Sequence, residues 1–255
     1  MANRPAARTV SGVSPRLYPV GKAVILLAVC APELAGRRLT IEGRRVQAIR
    51  VGRLTLLVAY VAPRDYTPEE IEGRRTDPVW FGAEARLLEQ AVERATVHGR
   101  VVPMPLLTVF AQPGDLEGCA LERAARWTRT LARLSTKREC AVHLYAGPHT
   151  PPGGVPYVAR IAARATRNGR APPFSANAAV TAHALSVWRE STALAVASRG
   201  VPAEDRHGAL WSAVMLLEER DIVALSALLE RSAVAGAPLG ITAYVEAPRA
   251  PFTFA

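Results

Sequence analysis

Ala23-Val-Ile-Leu-Leu-Ala-Val-Cys30 is an unbroken apolar run that leaves no polar face at the two-residue period of a strand. A strand of that kind is covered on both sides, so it predicts the centre of a sheet. Its length suits one strand and falls far short of the ~20 residues of a bilayer-spanning helix. A Gly/Arg-rich stretch follows. Residues 45–50 and 54–61 then flank Val51-Gly52-Arg53, and two extended segments around a short Gly-containing turn predict a hairpin.

Helical signals come next. Thr67-Pro68-Glu69-Glu70 combines a Thr cap, Pro at the first helical position and acids in the first turn. Trp80, Ala83, Leu87, Leu88, Ala91, Val92 and Ala95 recur at helical spacing, and Gly99 closes that helix. Val101-Val-Pro-Met-Pro-Leu-Leu-Thr-Val-Phe110 is β-rich but carries two prolines, which donate no ladder hydrogen bond. Its first half therefore belongs at a sheet edge or in a bulge. Gln112-Pro-Gly-Asp115 is a turn. In residues 116–134 Leu121, Ala124, Trp127, Thr128, Leu131 and Leu134 take one helix side, with Arg123, Arg126, Arg129, Arg133 and Lys137 nearly opposite. Residues 140–145 read as a short strand.

That order predicts an α+β fold, with residues 16–146 as a ferredoxin-like α/β sandwich. Gly147-Pro-His-Thr-Pro-Pro-Gly-Gly154 breaks all periodicity and reads as a linker. Residues 155–255 read as a second, helix-rich α+β domain. It has helices at 157–166, 175–198 and 219–233, strands at 209–217 and 239–246, and a break at 168–173. No internal repeat is evident. The chain ends in Ala247-Pro-Arg-Ala-Pro-Phe-Thr-Phe-Ala255, and aromatics at a terminus suggest an end tucked into its own domain.

Composition bounds the class. Hydrophobic residues make up 49% and charged residues 21% of 255, enough for one or two globular domains with a real core. No convincing signal peptide is present, and residues 1–15 read as a disordered leader, so the expectation is a cytoplasmic protein with no membrane span. Cys30, Cys119 and Cys140 are too widely spaced for a disulfide framework or a zinc site; two of them lie in apolar strand-like runs and read as buried inert thiols, in a reducing compartment.

The net charge of +10 is local: residues 1–50 hold nine Lys or Arg against two acids, and residues 151–200 hold six against one. The stripe from Arg123 to Lys137 could neutralise phosphates. A solvated helix face explains it more simply, because no aromatics or helix-turn-helix lie in register with it.

Catalytic patterns are missing from the sequence. None of His98, His143, His149, His183 and His207 belongs to a metal-binding pattern such as His-Glu-x-x-His. There is no Gly-x-Ser-x-Gly elbow, phosphate loop or dinucleotide fingerprint. The acid pairs Glu69/Glu70 and Glu218/Glu219 fall at expected helix starts, where they complement the helix dipole. No cofactor, metal or enzymatic activity is expected.

From about residue 22 to 255 the chain resembles the gas vesicle GvpL/GvpF family. Val51-Gly-Arg-Leu-Thr-Leu-Leu-Val-Ala-Tyr60 is similar to the family's Gly-Asp-Leu-Ala-Ala-Val-Val-Ser strand. Residues 101–110 resemble its Val-Leu-Pro-Leu-Arg-Phe-Gly-Thr-Val-Phe motif, with Pro105-Leu106-Leu107 in place of Arg-Phe-Gly. Gly154-Val-Pro-Tyr-Val-Ala-Arg160 resembles Gly-x-x-Tyr-Leu-x-x-Arg, and Trp211-Ser-Ala-Val-Met-Leu-Leu217 stands where the family has an Ala-Tyr-Leu-Val strand. The ending resembles Gly-Pro-Trp-Pro-Pro-Tyr-Ser-Phe.

The resemblance implies two linked α+β domains and a non-catalytic accessory role in gas vesicle assembly. The partners it implies are the hydrophobic shell protein and other accessory proteins. Val102, Leu106, Phe110, Phe252 and Phe254 are the candidate contact residues. The alternative is a basic nucleic-acid-binding or regulatory protein acting through the Arg-rich helix faces.

Overall fold

The computed structural model of the protein describes residues 21–146, 178–201 and 209–254. The leader, the linker at 147–154 and the helix expected at 157–166 lie outside the described residues. Within them the α+β expectation holds: two antiparallel sheets and five α-helices.

The first sheet contains β1 (Ala23–Cys30), β2 (Arg38–Ile41), β3 (Arg44–Val51), β4 (Leu54–Val61), β5 (Val101–Pro103) and β6 (Val109–Phe110). Its order is β2-β3-β4-β1-β5, with β6 also beside β1. Every residue of β1 is buried, and the cause is a helix on each face. Ile25, Leu27, Ala28 and Cys30 meet Leu88, Ala91 and Ala95 of α2 (Pro78–Thr96). Val24, Leu26 and Val29 meet Leu116, Trp127 and Leu131 of α3 (Pro113–Leu134). A bulge at Leu27, between the pairs Leu26↔Val58 and Ala28↔Leu57, turns two consecutive side chains toward α2. With an apolar helix on either side, a charge introduced anywhere in this strand would lack solvation.

Local chemistry sets the connections. Gly52 opens the β3–β4 turn at φ 59°, a conformation glycine adopts freely. Glu42 and Gly43 (φ 47° and 77°) form the two-residue turn between β2 and β3, with both central residues left-handed. The Thr67 hydroxyl accepts the Glu70 N–H at 3.3 Å and starts α1 (Pro68–Arg74) as its sequence signals. Asp77 caps α2 by accepting from the N–H groups of Val79 and Trp80 at 2.9 and 3.2 Å.

The second sheet contains β7 (Lys137–Ala146), β8 (Ala197–Gly200), β9 (Ala209–Glu218) and β10 (Ile241–Val245), in the order β10-β7-β9-β8. Both α4 (Ala178–Leu194) and α5 (Ile222–Gly236) pack on one face, against Val142, Leu144, Trp211 and Met215. This β-α-β-β-α-β plan is the ferredoxin-like arrangement, and β7 is its first strand. The strand expected to end the N-terminal sandwich therefore opens the next sheet. The first sheet keeps the related order β3-β4-β1-β5, but a single 3-10 turn at Pro32–Leu34 stands where the first helix would be, and α3 adds a layer on the far face. One topology recurs without any sequence repeat.

Smaller expectations need correcting. Residues 197–198 lie in β8, not in the preceding helix, because Ala197↔Leu216 and Ser198↔Met215 pair across the edge of the sheet. Leu121, placed on the apolar side of α3, is 62% exposed. Glu218 ends β9 and bonds Lys137 and Thr136 instead of starting a helix. Glu219–Leu239 is long and apolar enough to cross a membrane by composition. It is broken into a 3-10 turn, α5 and a second 3-10 turn, and Leu225, Leu228 and Leu229 are core residues of the second sheet.

Candidate functional site

Between β5 and β6 the chain leaves the sheet. Pro103 pairs with Ala28 as the last residue of β5, and the Met104 N–H still donates to the Leu27 carbonyl at 2.9 Å. Pro105 has no N–H to give, and Leu107 turns left-handed at φ 62° before the Leu26 N–H meets the Thr108 carbonyl at 2.8 Å. Left-handed backbone costs a branched aliphatic residue about 1–2 kcal/mol. Leu107 stands where the resembling motif has its glycine.

This excursion floors a groove of about 910 Å³. Met104, Leu106 and Leu107 form the floor over Val102, and Ile71 of α1 and Phe81 of α2 form one wall. Arg123, Arg126 and Arg133 of α3 form the other, with Trp127 behind them, and Phe252 of the tail closes one end. Arg75 and Glu72 sit on the α1 rim and pair with each other at 3.1 Å. Arg123 and Arg126 are exposed and have no carboxylate partner among the described residues.

The structure thus joins two features that sequence alone treats separately: the proline-bearing run and the basic stripe. Leu106 and Phe252 line the groove, half-buried. Val102 is 1% exposed and packs into the α3 cluster, so it supports the floor without presenting a side chain. Phe110 and Phe254 are half-buried in that same cluster, outside the groove. In the stripe, Arg129 is exposed beyond the groove. Arg133 donates to the Phe254 carbonyl at 2.9 Å, and Lys137 is tied to Glu218 at 2.9 Å.

The tail is anchored, but not within the second domain as its aromatics suggest: Phe252 and Phe254 pack on the α2 and α3 clusters of the first sheet. Backbone bonds run both ways between Glu139 and Arg249 at 2.9 Å, and the Arg249 guanidinium pairs with Glu89 of α2. Burial lowers the Arg249 pKa below its usual range. Ala250 is buried, and Phe252 packs against the α2 cluster. The Glu139 carboxyl, 1% exposed, accepts the Thr253 N–H at 2.6 Å and its hydroxyl at 2.9 Å. Desolvation pushes that carboxyl up to about 8 despite these bonds. Arg199 stacks over the Phe254 ring at 5.5 Å.

One constellation has no sequence signal. His143, Ser212 and Glu246 lie on β7 and β9 and just beyond β10, with Nδ1 to Ser212 Oγ at 2.8 Å and Nε2 to Glu246 Oε1 at 3.4 Å. The residue types match a hydrolytic triad, but the ring is reversed relative to one, with serine on Nδ1 and the carboxylate on Nε2. Ser212 is 2% exposed, and Tyr145 and Tyr244 stack beside the imidazole at 6.2 and 6.0 Å. The arrangement gives the buried His143 ring and Ser212 hydroxyl a hydrogen bond to each other; an enclosed Oγ has no approach for a substrate. Cys30 and Cys140 are buried free thiols, each pushed up to about 12 by desolvation, which suppresses thiolate chemistry. His183 is half-buried and bonded to the Ser232 carbonyl at 3.0 Å; His98 is exposed.

The profile of the family described as gas vesicle synthesis protein GvpL/GvpF matches residues 23–255. The chain belongs to the GvpL/GvpF family. Among solved structures it is similar to the gas vesicle protein GvpF from Anabaena sp. PCC7120, at 13% identity and TM-score 0.61, covering 91% of this chain and 98% of that one. GvpF from Microcystis aeruginosa is similar at 11% identity and TM-score 0.59, with the same coverage. At such identities the two structures establish a shared fold. No curated protein matches the chain. As a family member the protein has a gas vesicle role, and the groove and anchored tail lie inside the matched region.

Proposed function

We propose that this chain is a non-catalytic accessory protein of gas vesicle assembly, acting in the cytoplasm beside the forming vesicle. It holds the apolar shell protein, or a fellow accessory protein, at the groove floored by Met104, Leu106 and Leu107. The observation that carries this reading is the groove itself: an aliphatic floor that no described segment fills, in a chain of this family. A subunit that polymerises through apolar surfaces needs those surfaces covered until it is delivered. Pro103 and Pro105 blunt the adjoining sheet edge, so the contact runs through side chains and not through strand addition.

The test is a pull-down of the shell protein by wild-type protein and by the Leu106→Asp and Phe252→Asp variants, with folding checked by circular dichroism. Loss of capture by folded variants is expected, and undiminished capture refutes this surface. The nucleic-acid reading is weaker. Glu218 neutralises Lys137 and the Phe254 carbonyl engages Arg133, which leaves a short run of free cations beside an aliphatic floor.

A further inference from the structure

The groove is two-sided in chemistry. Its floor is aliphatic, and its α3 wall carries Arg123, Arg126 and Arg133. Across from them, Glu72 is the one acid lining the groove among the described residues, and Arg75 pairs with it at 3.1 Å. Arg133 bonds the neutral Phe254 carbonyl through one nitrogen, and Arg123 and Arg126 are exposed with no carboxylate partner among the described residues. Positive charge on one wall above an apolar floor complements a chain segment with the reverse pattern.

We propose that the groove docks an amphipathic, acidic polypeptide segment of a partner protein, its aliphatic side chains on Met104, Leu106 and Leu107 and its carboxylates on Arg123, Arg126 and Arg133. This rests on the assembly reading above and deepens it by naming the partner's chemistry. At about 1.5 Å of rise per helical residue, Arg123 and Arg133 stand roughly 15 Å apart along α3. Acids about three turns apart on a helical segment span that distance. Forked guanidiniums hold carboxylates in a way that also fixes the register of the segment. The partner's own apolar stripe then determines which of its faces is covered. Residues 1–15 of the chain itself carry Arg4 and Arg8 and no acid, so the leader is a poor occupant of this wall. A single-stranded nucleic acid would meet an aliphatic floor beside which, among the described residues, only Phe81 and Phe252 offer half-buried rings.

The test uses the full chain and a fluorescent fifteen-residue peptide of Leu and Glu at helical spacing, together with its Glu→Gln and Glu→Lys versions and a labelled oligothymidylate. Fluorescence anisotropy is read at low and physiological salt. The Glu peptide should bind at least about tenfold tighter than the Gln peptide, and the Lys peptide weakest. R123E/R126E should invert that order. R189E/R231E, which changes net charge equally on α4 and α5, should leave the order intact. Equal binding of all three peptides, an order unchanged in R123E/R126E, or no binding of the Glu peptide overturns the proposal. Oligothymidylate binding that is tighter than the Glu peptide and abolished by R123E/R126E also overturns it, in favour of a nucleic acid.

Shell-protein capture separates the two layers. If L106D abolishes capture while R123E/R126E leaves it untouched, the assembly reading stands and the acidic-segment proposal falls. If the peptide order holds but neither variant affects capture, the assembly reading falls and the groove chemistry stands.

Discussion

Glu139 offers a quantitative handle on the anchored tail. Its carboxyl is closed off from solvent and accepts two hydrogen bonds from Thr253, yet desolvation raises it from the ordinary 4.5 to about 8. Between those values the folded protein binds a proton that the unfolded chain has released, so rising pH favours unfolding. The stabilisation is complete below pH 4.5 and is lost as pH climbs through about 8. The slope is about 1.4 kcal/mol per pH unit, and the full interval carries on the order of 4–5 kcal/mol. Glu139→Gln imitates the protonated acid: its carbonyl accepts the Thr253 N–H and its amide donates to the Thr253 hydroxyl. Urea unfolding of both proteins in half-unit steps from pH 5 to 9 isolates this residue as the difference between the two curves. The variant should match wild type near pH 5 and exceed it by several kcal/mol above pH 8, at unchanged m-value. A difference that stays flat, or that favours wild type at high pH, refutes the assignment.

Three further outcomes follow from the same geometry. Leu107→Val should cost about 1–2 kcal/mol, because a β-branched residue is worse at φ 62°. Leu107→Gly should fall within about 1 kcal/mol of wild type, relief of strain offsetting lost packing; chemical denaturation reads both, and equal losses would contradict the strain. Arg44 donates to both Glu84 oxygens at 2.8 and 2.6 Å, and Tyr66 adds a third bond at 2.8 Å. Arg44→Ala leaves a carboxylate only 2% exposed and should cost about 3 kcal/mol, against under about 1 for Arg75→Ala at its exposed pair. Val102→Asp should lower the melting temperature sharply before any binding is measured, since that side chain is core; a stable, folded V102D would contradict its placement.

What the sequence discloses tracks how local each feature is. β1, the β3–β4 hairpin, the Thr67 cap and the periodicity of α2 are written in consecutive residues, and all are found. β2 is hidden because Arg38-Leu-Thr-Ile41 is short and half polar at a sheet edge and its turn is Glu-Gly, outside the usual Asn-Gly and Asp-Gly signals. β8 is hidden because Ala197-Ser-Arg-Gly200 contains no strong strand former and follows an Ala-rich helix.

The sheet joined by β7 is decided by partners more than seventy residues away, Met215 opposite Cys140 and Tyr244 opposite His143, and no local pattern encodes that. The groove needs α1, α2, α3, residues 102–107 and Phe252 at once. Its separate pieces, Leu106, Phe252 and the arginines, are legible as candidates, and their convergence is not. The burial of Val102 and the seating of Phe110 and Phe254 against the α3 side are equally invisible to periodicity.

Hydrogen–deuterium exchange with and without the gas vesicle shell protein addresses the docking claim directly. Residues 102–107, the α3 face from Arg123 to Arg133 and the tail around Phe252 should slow together on binding, while α4 and α5 exchange as before. Protection confined to α4 and α5, with residues 102–107 unchanged, would contradict the account.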